Sequence, residues 1–152
     1  MDELSKAAKI NVYIDGGSRG NPGPAAFGVV FTNEKEEVIK EYAECLGIKT
    51  NNEAEYSALI FALKKLKAIL GGEKTGKVFV EIKTDSELMA RQMNGEYKIK
   101  NPEIQKLFLE AWNLKTDFKN LKIALIPRSE NKRADFLVNK ALDQEKKNQK
   151  LF

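Results

Sequence analysis

The chain has 152 residues, 26 basic against 22 acidic side chains, one cysteine and no histidine. The missing imidazole excludes Ser-His-Asp and Cys-His nucleophiles and histidine-bearing zinc sites, so chemistry is left to carboxylates, lysines, hydroxyls or bound metal. With 42% apolar and 32% charged residues the composition is that of a soluble globular protein, and the length suits one domain, residues 1–152 with a core over about 8–143.

Residues 9–15 (KINVYID) alternate, with Ile10, Val12 and Ile14 on one face, and read as a strand ending at Gly16-Gly17. Residues 26–32 and 37–46 read as two further strands across the charged turn NEKE, and such short links predict an antiparallel meander. From Asn52 to Leu70 the period is helical, with Gly71-Gly72 as the stop. A β-branched strand follows over 78–84, then a short helix over 86–93, a helix opened by Pro102 and reaching about Thr116, and a strand over 121–126. The last helix starts near Asn131 and grades into a charged tail, DQEKKNQK, expected to fray. This order predicts an α/β fold with a mixed sheet covered by helices.

Cys45 is expected to be a small apolar core residue, and a single cysteine suits a reducing compartment. Phe108 and Trp112, four apart on a helix, are expected in the core. The longest apolar run, Ala58 to Leu63, is too short to span a bilayer, and the first nine residues hold no apolar signal-peptide core. The expectation is a cytoplasmic protein without a membrane partner. Residues 1–76 carry 10 basic and 11 acidic groups and residues 77–152 carry 16 and 11, so the second half is the expected contact for a polyanion.

Four acids stand at element boundaries: Asp15 and Asp85 at strand ends, Glu55 and Asp135 in the first turns of helices. Ligands of such sheets sit at strand ends beside helix starts. Glu55 shares its helical face with Ala58, Leu59, Ala62, Leu66 and Ile69 and so points to the core, whereas Glu53 shares a face with Ser57, Lys64 and Lys67 and points to water. Asp135 shares its face with Val138 and Leu142. Each acid alone is explained by a turn, a helix dipole or a lysine partner. Four that a compact sheet brings together suit hard, oxygen-preferring Mg2+ or Mn2+, and two such ions clamp the attacking and leaving oxygens of a phosphodiester.

Four segments in register, DGGSRGNPGPAAFG (Asp15 to Gly28), TNNEAEYSALIFAL (Thr50 to Leu63), TDSELMARQMNGEYKIKN (Thr84 to Asn101) and PRSENKRADFLVNKAL (Pro127 to Leu142), resemble type 1 ribonuclease H. The resemblance implies a ribonuclease H-like fold with a five-stranded mixed sheet. It also implies a metal site of Asp15, Glu55, Asp85 and Asp135 for two Mg2+ or Mn2+ ions, with Asp15 bridging both, Asp85 and Glu55 completing one and Asp135 holding the other loosely. The implied reaction is hydrolysis of the RNA strand of an RNA/DNA hybrid to 5'-phosphate and 3'-hydroxyl ends. Substrate contacts are implied for the loop Gly16, Gly17, Ser18, Gly20 and Asn21, for Lys49, Thr50, Asn51 and Asn52, and for Ser86 and Glu87. A nuclease of the same fold acting on RNA duplexes or DNA, and a hybrid-binding protein without catalysis, stand as alternatives.

Three departures accompany the resemblance. Ile48 occupies the place of an arginine that pairs with Thr50 in a DNA-strand phosphate pocket, with Lys49 beside it as a charge lacking the bidentate fork. The basic protrusion is absent, leaving Lys98, Lys100 and Lys106 as local phosphate candidates. Arg128 stands in for a loop histidine and, unable to act as a base near neutrality, is assigned charge stabilisation or phosphate binding. The terminal QKLF faintly resembles sliding-clamp-binding peptides, and a monomer is the expected state.

Overall fold

The computed structural model describes residues 3–150. In chain order the elements are α1 (Glu3–Lys6), β1 (Lys9–Ser18), β2 (Gly23–Thr32), β3 (Val38–Lys49), α2 (Asn51–Thr75), β4 (Phe79–Thr84), α3 (Glu87–Met93), α4 (Pro102–Lys115), β5 (Asn120–Leu125), a 3-10 turn (Arg128–Glu130) and α5 (Lys132–Lys150). One five-stranded sheet runs β3-β2-β1-β4-β5. The meander β1, β2 and β3 is antiparallel, and β4 and β5 join β1 in parallel. The expected α/β architecture with a mixed sheet is therefore present, with β1 at its centre.

Helix α2 lays its apolar stripe, including Leu59, Leu63 and Leu66, over β1 and β2, and α4 packs on its far side. Helix α5 covers the opposite face of the meander through Ala134, Leu137 and Val138. Covered on both faces, β2 is an apolar run (AAFGVVF) instead of an alternation. Two glycines set these contacts. A Cβ on Gly16 would lie 2.3 Å from the backbone of Ala54 in α2, and one on Gly28 would lie 2.5 Å from the carbonyl oxygen of Ala134 in α5. The helices can approach the strands this closely only because no side chain intervenes.

The chain departs from the expected pattern at several places. Gly71 leaves the helical region (φ 79, ψ 165) where a stop was expected, yet a further turn runs to Thr75. The DQEKKNQK segment is helical through Lys150 rather than frayed, its Lys, Glu and Gln residues being good helix formers. Cys45 is exposed and not in the core, because it lies on β3, an edge strand that α5 only partly covers; its thiol donates to the carbonyl of Ala141 at 3.3 Å. Trp112 is 41% exposed, since the α2-facing stripe of α4 runs through Ile104 and Ala111. Its ring stacks on the partly buried Phe108 at 5.7 Å and sits under the Lys115 ammonium at 4.6 Å. Among the described residues no helix is long and apolar enough to cross a membrane. Leu151 and Phe152 of the QKLF segment lie outside the described residues.

Candidate active site

The central strand delivers Asp15 to the carboxyl end of the sheet, where parallel β4 ends beside it and delivers Asp85. Helix α2 supplies Glu55 one turn from its start, on the buried face that its spacing indicates. Thr50 and Glu53 form a reciprocal cap that fixes this start. The Thr50 hydroxyl accepts from the Glu53 N–H at 3.1 Å, and the Glu53 carboxylate accepts from the Thr50 N–H at 2.9 Å. Glu53 is thus a capping residue as well as a water-facing one.

One carboxylate oxygen each from Asp15, Glu55 and Asp85 lies within 4.8 Å of the others. Asp15 and Glu55 are buried, at 8% and 6% exposure, and Glu55 Oε2 has no hydrogen-bond partner. None of the ion pairs among the described residues involves these three acids or Asp135. Burial, reinforced by the charge of Asp85, pushes the Asp15 carboxyl up to about 7. Burial and then the charge of Asp15 raise Glu55 well above the usual carboxylate range, while a backbone hydrogen bond from Gly16 opposes the shift. A hard divalent cation would meet both needs of this cluster, replacing its protons and engaging the orphaned oxygen.

Asp135 is exposed on α5 and lies outside the 4.8 Å trio, but lines the same open groove of about 510 Å³. The groove is bordered by Gly16, Gly17, Ser18 and Asn21 on one side, Asn51 and Asn52 at the head of α2, and Ser86 and Arg128 on the other side. Gly20, Lys49, Thr50 and Glu87 do not line it. Gly20 makes the loop turn at φ 99, and Glu87 pairs with Arg91 at 2.9 Å. Lys98, Lys100 and Lys106 also lie away from the groove, Lys106 being paired with Glu103 at 3.6 Å.

Local hydrogen bonds position the groove walls. Asn51 Oδ1 accepts from the N–H and the hydroxyl of Ser18 at 2.9 and 3.1 Å, and the Asn51 N–H donates to Asn21 Oδ1 at 2.9 Å. Asn51 therefore clamps the glycine-rich loop to α2, and its oxygen is engaged. Asn52 Oδ1, by contrast, is buried without a partner. The Ser86 hydroxyl caps α3 by accepting from the Met89 N–H at 3.2 Å. Tyr56 is buried next to Glu55, and its hydroxyl donates to Gln92 Oε1 at 2.9 Å, tying α2 to α3.

Sequence reasoning missed Asn131, Arg19 and Asn139. Asn131 is 1% exposed; its amide donates to the carbonyl of Ile14 at 2.8 Å and reaches Asp85 Oδ2 at 3.4 Å, while its own carbonyl accepts from the Asp135 N–H at 3.1 Å. It links the backbone before Asp15, the side chain of Asp85 and the first turn of α5. Its place four residues before Asp135 at a helix start was the available signal. Asn139 donates to Asp135 Oδ1 at 3.4 Å, and both Asn139 and Arg19 line the groove.

In sequence and fold the chain is similar to known proteins. The reverse transcriptase-like family matches residues 13–141. A bifunctional protein of Mycobacterium tuberculosis is 39% identical over 136 residues, covering 89% of this chain and 36% of that protein. Ribonuclease HI of Halobacterium salinarum is 37% identical over 138 residues, covering 91% of this chain and 66% of that protein. The chain thus spans about a third of the first relative and less than the full length of the second. Among solved structures, a ribonuclease H1 isolated from compost superposes with a TM-score of 0.85 at 47% identity, covering 91% of this chain and 98% of that one. The same compost enzyme has been solved in complex with an RNA/DNA hybrid. The family match over most of the chain and the nearly end-to-end likeness to a ribonuclease H1 together place this chain in the type 1 ribonuclease H family.

Proposed function

We propose that the protein is a metal-dependent endoribonuclease that hydrolyses the RNA strand of RNA/DNA hybrids by a two-metal-ion mechanism, leaving 5'-phosphate and 3'-hydroxyl ends. The observation that carries this reading is the unneutralised carboxylate trio at the floor of a groove, in a chain that resembles a hybrid-binding ribonuclease H1. Asp15, Glu55 and Asp85 would hold the ions, with Asp135 from the rim as the fourth and weaker ligand. Bound Mg2+ or Mn2+ supplies Lewis acidity toward the phosphodiester oxygens and acidifies water. Without histidine, no protein imidazole shapes the pH profile, and activity is expected to rise toward alkaline pH.

The remaining residues recognise and orient. RNA is distinguished by its 2'-hydroxyl, reached across a wide, shallow minor groove. The free buried oxygen of Asn52 is suited to accept from such a group, and the half-buried Gly17 of the groove lining to let the strand approach the backbone closely. Ser18, Asn21 and Asn51 hold the loop in shape. Arg128 at the groove edge would stabilise phosphate charge without taking a proton. The same reading takes the chain as a single-domain, monomeric cytoplasmic member of the branch lacking the basic protrusion and the loop histidine.

Hybrid, RNA-duplex and DNA-duplex substrates incubated side by side with Mg2+ or Mn2+ test the proposal. Cleavage of the RNA strand of the hybrid is expected with at least one ion. Absence of hybrid cleavage with both overturns it, and cleavage of RNA duplex alongside hybrid broadens the substrate class.

A further inference from the structure

The groove is a problem for a polyanion. Asp15, Glu55, Asp85 and Asp135 all line it, and the only lysine or arginine side chains among its described lining residues are Arg128 and Arg19. Arg19 follows Ser18 in the glycine-rich loop, and its backbone N–H is fixed by the carbonyl of Pro24 at 2.8 Å. Its guanidinium spans to α5, forming an ion pair with Asp143 Oδ1 at 2.8 Å and donating to Asn139 Oδ1 at 3.4 Å. Asn139 in turn donates to Asp135. Arg19 and Asp143 are 41% and 68% exposed, so solvent screens the pair and little free energy holds it closed. A phosphate offers the same guanidinium a charge-assisted, two-pronged partner.

We infer that Arg19 is a substrate-phosphate contact whose guanidinium Asp143 masks in the free protein and releases to the nucleic-acid backbone when a strand enters the groove. The assignment rests on the nuclease reading for the identity of the strand but not for the exchange itself. Asp143 competes with the substrate for one cation, so the two side chains act in opposite directions on binding. A purely structural tie between loop and helix would instead make both losses act in the same direction.

The test is equilibrium binding of a fluorescent RNA/DNA hybrid across a salt series with Mg2+ present, in the cleavage-silenced Asp85→Asn background. Arg19→Ala is expected to weaken binding about ten- to a hundred-fold, the size of one lost charged hydrogen bond. It should also lower the slope of log affinity against log salt by about one, as for one lost phosphate contact. Asp143→Asn is expected to tighten binding, and this gain should vanish when Arg19→Ala is present. An unchanged salt slope in Arg19→Ala, a loss of affinity in Asp143→Asn, or a gain that persists without Arg19 would each overturn the exchange. Hybrid cleavage by the wild-type protein, run in parallel, reports on the nuclease reading separately, so either can fail while the other stands.

Discussion

The two sides of the groove are built differently. The floor, with Asp15 and Glu55, is made by core packing: Gly16 seats β1 against α2, Tyr56 ties α2 to α3, and both acids are buried. The rim, with Asp135, Arg128 and Arg19, is exposed and tied by surface contacts such as Arg19–Asp143 and Asn139–Asp135. Burial holds the floor in one geometry and makes its charges costly. Exposure lets the rim exchange partners at little cost. The floor suits tight ion binding, and the rim suits admission and release of a strand.

The largest effect that separates the two is the pH dependence of metal-free stability. Asp15 is raised from an ordinary value of 3.8 to about 7, so folding favours its protonated form. That stability is fully present below the unfolded value near 4 and is lost as pH rises through 7; at about 1.4 kcal/mol per unit the loss is about 4 kcal/mol. Urea melts in chelator from pH 4 to 8 should show wild type falling relative to Asp15→Asn by about this amount, and falling relative to Glu55→Gln in the same direction. Millimolar Mg2+ should recover wild type at pH 8 and leave Asp15→Asn unmoved. A flat difference across this range would mean that the floor is not strained by its own charges.

Activity should divide along the same line. Glu55→Gln and Asp85→Asn are expected to lower kcat by about 10²–10³-fold or more, the range for removing a preorganised electrostatic group. Asp135→Asn, on the exposed rim, should cost about ten-fold or less at saturating Mg2+, with the deficit growing as Mg2+ is lowered. Equal losses at all three positions in an Mg2+ titration would erase the distinction between floor and rim.

Asn131 joins the two sides, and its loss should be felt by both. Asn131→Ala leaves the Ile14 carbonyl without its donor and removes a contact to Asp85, a change of about 1–3 kcal/mol in stability. The apparent Mg2+ requirement should rise as well, because Asp85 and α5 lose their common anchor. A variant destabilised by this amount with an unchanged Mg2+ requirement would make Asn131 a packing residue only.

The parts of this design that the sequence made legible are those set by periodicity. Alternation over residues 9–15 and a helical stripe from Ala58 to Ile69 located β1, α2 and the inward face of Glu55, because burial and spacing express the same constraint. Trp112 shows the limit: a four-residue spacing to Phe108 says that two rings are neighbours, not which of them the partner helix covers. Cys45 failed for a related reason, since strand alternation does not say which strand is the edge. Asn131 offered only its place at a helix start and Arg19 offered nothing, because their partners, Ile14 and Asp143, are 117 and 124 residues away along the chain and chosen only by tertiary contact. Side chains of the same types in the same local sequence would read as an ordinary helix cap and an ordinary solvated charge.

The smallest effect falls at Thr50, where two readings make different forecasts. The resemblance implies a contact to a DNA-strand phosphate, whereas its hydroxyl and backbone N–H are both engaged in capping α2 with Glu53. A cap of this kind is worth about 1 kcal/mol, and serine preserves it. Thr50→Ala should therefore lower stability by about that amount and Thr50→Ser should restore it, with the salt slope of hybrid binding unchanged in both. Because the cap fixes the start of the helix that carries Asn51, Asn52 and Glu55, a modest rise in KM is compatible with a capping role alone. A third variant decides, because a neutral hydroxyl leaves the salt slope unmoved whether it caps or touches phosphate: Thr50→Asp keeps the cap but places a negative charge where a phosphate would sit. A loss of hybrid affinity in Thr50→Asp beyond its change in stability would return Thr50 to the substrate interface despite the absence of Thr50 from the groove lining.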